Sequence, residues 1–133
     1  MANAEQTSRA RSFLKKAEEY LASAEENLVA ERYTPAAGDA IHAGISAKDA
    51  ILTALTGTTG KGQSHATAVK ELRTALARRD SAAPAEKALR ELIAAKAAVE
   101  YGTTLLNAAR TETLVRRARS LVPLAAEIVR LGR

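Results

Sequence analysis

The sequence predicts an all-α protein, an antiparallel up-and-down four-helix bundle with an additional kinked C-terminal helix. Three observations carry that expectation. Alanine makes up roughly a quarter of the chain, far above ordinary usage, and with Leu, Glu, Lys and Arg it favours helix. Aromatic residues are only 3% of the 133, with one Phe, three Tyr and no Trp, which argues against a β-sandwich or barrel. Apolar residues recur at three- and four-residue steps along five segments. At 47% hydrophobic and 26% charged, the chain is long enough for one domain with a buried core.

The elements follow in order. Residues 1–7 read as a disordered tail, with one helical domain over 8–131 and Ser8 as the first N-cap. Phe13, Leu14, Ala17, Leu21, Ala24 and Leu28 form the apolar stripe of helix one. Thr34-Pro35 reads as a cap followed by proline in the first turn, opening a second helix to about Leu55. Its apolar face is Ala37, Ile41, Ile45, Ile51, Leu52 and Leu55, with Gly38 and Gly44 allowing close packing. Gly57 to Ser64 is glycine-rich and reads as a loop. It is not a phosphate-binding loop, because Lys61 precedes Gly62 and a helix, not a strand, leads into it. Ser64 caps a third helix over His65–Arg79. A fourth starts at Pro84 or Ala85 and runs to about Leu106, and Thr111 caps a fifth towards Leu131, kinked or split at Pro123.

Composition removes several chemistries. Without cysteine there are no disulfides, thiol nucleophiles or thiolate metal sites. No His-Glu-x-x-His or close ligand cluster occurs, so no metal and no cofactor are expected. No segment has the ~20 apolar residues of a membrane span, and Met1–Ala10 lacks the apolar core of a signal peptide. A cytoplasmic protein without a membrane partner is the expectation. The formal charge of +5 and pI of about 9.8 favour acidic partners such as RNA or a nucleotide.

Few residues could carry chemistry. His42 and His65 are the two histidines, and Asp49 lies seven residues after His42 on the same helix face. In the fourth helix Lys96 and Glu100 can pair at i,i+4. Lys96 and Tyr101 diverge by about 140° yet can border one cleft. Arg116, Arg117 and Arg119 form a candidate basic binding patch on the fifth helix.

Three segments, Ala40-Ile41-His42-Ala43-Gly44-Ile45 through Ile51, Gly60-Lys61-Gly62-Gln63-Ser64-His65, and Lys96 through Tyr101-Gly102, occur here in that order. Together they make the chain resemble small HEPN-domain proteins, within an actinobacterial branch of that family. The resemblance covers about residues 10 to 130. It implies a helical bundle that forms a homodimer, and a role in defence or in a toxin–antitoxin pair with a nucleotidyltransferase partner. Many such proteins are metal-independent endoribonucleases using Arg, four to six residues, then His. Here Lys96 stands where the arginine would be and Tyr101 where the histidine would be. Lys can hold a phosphate without the bidentate fork, but Tyr, with an ordinary pKa near ~10, is a poor base. The resemblance therefore implies a non-catalytic module binding RNA, a nucleotide or a protein. The alternative is an altered ribonuclease whose catalytic candidates are Lys96, Tyr101, His42 and His65.

Overall fold

The computed structural model describes residues 3–60 and 64–131, except the side chain of His65. Lys61, Gly62 and Gln63 of the glycine loop and Arg133 lie outside the described residues, as do the first two residues of the predicted tail. Five helices make up the fold, with no strand among the described residues: α1 (Ala4–Val29), α2 (Tyr33–Thr56), α3 (His65–Leu76), α4 (Ala82–Tyr101) and α5 (Ala108–Leu131).

The central helix is α2, which packs against all four others. Thirteen of its 24 residues are buried, at adjacent positions such as Ala40-Ile41, Ala43-Gly44 and Ser46-Ala47, so burial spreads around the helix instead of following one stripe. Small side chains permit this. An ideal Cβ on Gly44 would stand 2.5 Å from Leu92 Cδ1 and 3.5 Å from Leu121 Cδ1, so α4 and α5 both close on the space that glycine leaves. The Leu and Ile side chains of α4 and α5, among them Leu89, Leu92, Leu114, Leu121 and Ile128, complete the core. Each contributes about 1.5–3 kcal/mol on burial.

The sequence predicted the additional helix at the C-terminus. Instead α5 belongs to the core, packed on α1, α2 and α4, whereas α3 touches only α2 and α4. Pro123 does not split α5, which continues to Leu131. Its ring is exposed, so the helix carbonyl it leaves without a donor can turn to water.

Several helix ends differ from the sequence expectation, each for a local reason. Helix α1 begins at Ala4, and Ser8 lies inside it. Asn3 is the cap, its side chain accepting from Gln6 N at 2.7 Å. The first turn is tied down, because Gln6 Nε2 donates to the Thr53 and Ala54 carbonyls and Arg9 to the Gly57 carbonyl, covering the end of α2. At the other end of α1, Arg32 N–H reaches the Asn27 carbonyl and Glu31 N–H the Leu28 carbonyl. Glu31 sits at φ 62°, so a Schellman turn leads into α2 within three residues. Thr34 is not the cap of α2, since the helix starts one residue before it, at Tyr33. Ser64 does cap α3, accepting from Thr67 N at 3.1 Å. That helix stops at Leu76, three residues short of Arg79, because Ala77 adopts φ 53°, ψ −116°. Helix α4 starts at Ala82 and ends at Tyr101. Gly102 follows, where a Cβ would meet the Ala98 carbonyl oxygen at 2.6 Å. Thr111 is buried within α5. The first turn is capped by Asn107, whose Oδ1 accepts from Arg110 N at 2.8 Å.

Two substitutions check this account by urea denaturation. Ala77 occupies the first central position of a turn closed by Arg79 N–H on the Leu76 carbonyl at 3.1 Å, with the dihedrals of a type II′ turn. Ala77→Gly removes its Cβ penalty and should stabilise the fold by about 1 kcal/mol. Gly44→Val drives a branched side chain into Leu92 and should destabilise it by about 2–3 kcal/mol.

Candidate functional site

A half-buried strip of α2, including Asp39, His42, Ile45 and Asp49, escapes the core. On one side of it lies α1. On the other, α4 runs antiparallel to α2, with Leu92 beside Gly44 and Val99 beside Gly38. That register carries the last turn of α4 to His42.

Four side chains meet there from three helices. His42 Nε2 lies 3.2 Å from Glu100 Oε1. The other oxygen, Glu100 Oε2, accepts from Lys96 Nζ at 3.0 Å. The Tyr20 ring of α1 stacks on the imidazole, with centroids 5.2 Å apart and planes 29° from parallel. One carboxylate is thus shared between a lysine and a histidine. The His42 side chain is 43% exposed, while Glu100 and Lys96 are more enclosed. The Glu100 hydrogen bond, and then its charge, raise the Lys96 pKa above the ordinary 10.5, with partial burial opposing them. Lys96 is therefore a firmly protonated cation whose field is met at contact range by Glu100.

The pairing of Lys96 with Glu100 follows the i,i+4 spacing. Its extension to His42 does not, because it needs the α2–α4 register. Tyr101 makes no hydrogen bond in the cluster and adds only the smallest of the influences that raise the Lys96 pKa. It is 78% exposed. His65 opens α3, but its side chain lies outside the described residues. Asp49 does not approach His42 and pairs with its neighbour Lys48 at 2.5 Å. The basic patch on α5 is divided: Arg117 pairs with Glu91 of α4 and Arg119 with Glu25 of α1. Arg116 is exposed and has no partner among the described residues.

Tyr20 was not singled out by sequence. Its position three residues after Ala17, on the core side of α1, is the signal that it faces another helix. One turn further along the same seam, Asp39 accepts from Ser23 Oγ at 2.6 Å and Asn27 Nδ2 at 3.0 Å. Asn27 Oδ1 in turn accepts from Arg32 Nε at 2.8 Å. This network fastens α1 to α2 beside the His42 cluster.

Among the described residues, no three His, Asp or Glu side chains converge to hold a metal ion. No helix among the described residues is long and apolar enough to cross a membrane. No known family profile matches the chain, and no curated protein is significantly similar to it.

Glu100 is the testable centre of the cluster. In Glu100→Gln the Lys96 amine should titrate at lower pH than in the wild type, read by NMR of labelled lysine. The sign for stability follows from the raised folded-state pKa. The stabilisation from Lys96 is fully present below the unfolded value of 10.5 and is lost as pH rises through the folded one. Thermal melts of wild type and Lys96→Met should therefore differ by a constant amount at neutral pH and converge only under strongly alkaline conditions.

Proposed function

We propose that this chain is a diverged HEPN-like, up-and-down helical protein that acts as a non-catalytic binding module in a defence or toxin–antitoxin setting, with a protein as its partner. The observation that carries the reading is the state of Lys96. In a HEPN-type ribonuclease the corresponding cation faces the scissile phosphate. Here Glu100 holds Lys96 at 3.0 Å, and a phosphate approaching that pair meets a carboxylate as well as an ammonium. Tyr101, in the position of the usual base, stands in solvent.

The choice of a protein over RNA rests on what the surface offers. Two of the three arginines of the candidate α5 patch are already in ion pairs, which weakens the case for phosphate binding there. Val29, Tyr101 and Leu105 are 85%, 78% and 82% exposed. The end of α1 lies beside the start of α2, and α4 runs antiparallel to α2, so all three belong to the same end of the molecule. Exposed apolar and aromatic groups at one end of the molecule suit a protein interface. A nucleotidyltransferase-type partner and a homodimer are the occupants that the family resemblance implies.

A metal-independent ribonuclease is the second reading, and one feature favours it. His42 is accessible, held by a carboxylate and braced by Tyr20, an arrangement suited to proton transfer. Lys96 would then supply the positive charge at the phosphate.

One assay separates the two. Folded wild type, checked by circular dichroism, should leave a mixed-sequence RNA intact without added metal. It should form a stable complex with a protein encoded beside it, and Leu105→Glu should weaken that complex roughly tenfold or more. Cleavage that leaves cyclic-phosphate ends and disappears in Lys96→Ala, Tyr101→Ala or His42→Ala would instead establish the nuclease.

A further inference from the structure

We propose that the groove between α3 and α4 binds a small amphipathic anion, an apolar body carrying one carboxylate or phosphate. The cavity measures about 690 Å³, within the roughly 300–1,000 Å³ of small-molecule sites. Among the described residues α3 touches only α2 and α4, so no further described helix covers the outer side of the α3–α4 pair. It shares no residue with the His42 cluster.

The two ends of the groove differ in chemistry. Arg73 of α3 pairs with Glu86 of α4. The antiparallel run of these helices then sets Lys70 near the level of Arg90, and Ala66 near that of Ala94. The cations thus gather towards the Arg73–Glu86 end, and Val69, Ile93, Ala66 and Ala94 line the rest of the groove. Glu86 takes Arg73 at 3.1 Å with one oxygen and Arg90 at 3.2 Å with the other. It holds both guanidinium groups at the rim without balancing their summed charge. Lys70, also at the rim, has no partner among the described residues. Three cations against one carboxylate leave a positive excess that an anionic head would neutralise.

The dimensions favour a small molecule over a docked helix. From Arg73 to Ala66 is seven residues, or about 10 Å along α3. That length takes a medium acyl chain or a fused aromatic body. A helix held by anchors over two turns needs about 11 Å of apolar track, whereas here the part of the groove from Arg73 to Lys70 is cationic.

The test uses the whole chain and anilinonaphthalene sulfonate, an apolar fluorophore with one anionic group. Its fluorescence should saturate at one dye per chain, and decanoate should displace it while neutral decanol does so far more weakly. Arg90→Glu and Lys70→Glu should each weaken binding roughly tenfold, and Ala94→Phe, which fills the apolar end, should abolish it. Arg11→Glu on α1 should leave it unchanged. These positions are all exposed, circular dichroism verifies each fold, and Lys70→Glu leaves the Arg73–Glu86–Arg90 link in place. Non-saturating fluorescence, binding indifferent to Arg90→Glu and Ala94→Phe, or equal displacement by decanol would overturn the proposal. So would displacement by an acidic amphipathic peptide but not by decanoate, which would make the groove a protein-docking site.

Discussion

Leu92 of α4 occupies space that a side chain on Gly44 would need, and that contact sets how near the central helix lets its neighbours come. Seven buried alanines along α2 extend the same condition over its length. With one phenylalanine and no tryptophan in the chain, no aromatic side chain is fully buried in the core of the described residues, and Phe13 and Tyr20 pack only at its edge. Interior packing tolerates few voids, so the helices must approach closely and let Leu and Ile from the outer elements meet across α2. The alanines make each interface thin, and they also let one helix touch four others.

Thin interfaces bring polar groups at the seams into reach of each other. His42 lies on the half-buried strip of α2, between Tyr20 of α1 and Glu100 of α4. Wider helix spacing would put water between those groups and leave Glu100 with Lys96 alone. Shared by both, the carboxylate turns a local i,i+4 pair into a tie across helices. The Ser23–Asp39–Asn27 network does similar work on the other seam of α2. Such partly buried contacts gain from the lower local dielectric, and they fix the register in which α1 and α4 meet α2.

Periodicity made the five helices legible, since α1, α2, α4 and α5 each carry an apolar pattern over 20 residues or more. Ser64 was legible as a cap because its hydroxyl acts within its own turn. The misplaced ends depend on distant partners or on a local preference overridden by context. Gln6 extends α1 to Ala4 by reaching carbonyls 47 and 48 residues away. Glu31 and Ala77 take left-handed conformations where glycine would have announced the turn. The site divides in the same way. Spacing gives Lys96–Glu100, whereas His42–Glu100, Arg117–Glu91 and Arg119–Glu25 join different helices and require a register. Placing α3 outside and α5 inside likewise depends on which apolar stripes find α2, and stripes of similar composition do not specify that choice.

A net charge of +5 counts cations without saying which can act on a partner. Exposed ion pairs add little stability, yet they decide which charges remain available, because a paired arginine presents a weak field beyond its own carboxylate. Of the residues whose sequence positions suggested contact with phosphate, Lys96, Arg117 and Arg119 are each met by a glutamate and Arg116 is not. At the α3–α4 groove the arrangement is reversed: one glutamate serves two arginines, and Lys70 stands beside them. The surplus there adjoins an apolar cavity, where a bound anion would be partly withdrawn from competing water. A cation count favours nucleic acid in general. The distribution of its counter-charges favours a smaller, amphipathic anion at a particular place, and leaves the His42 seam better suited to holding helices together than to attracting a phosphate chain.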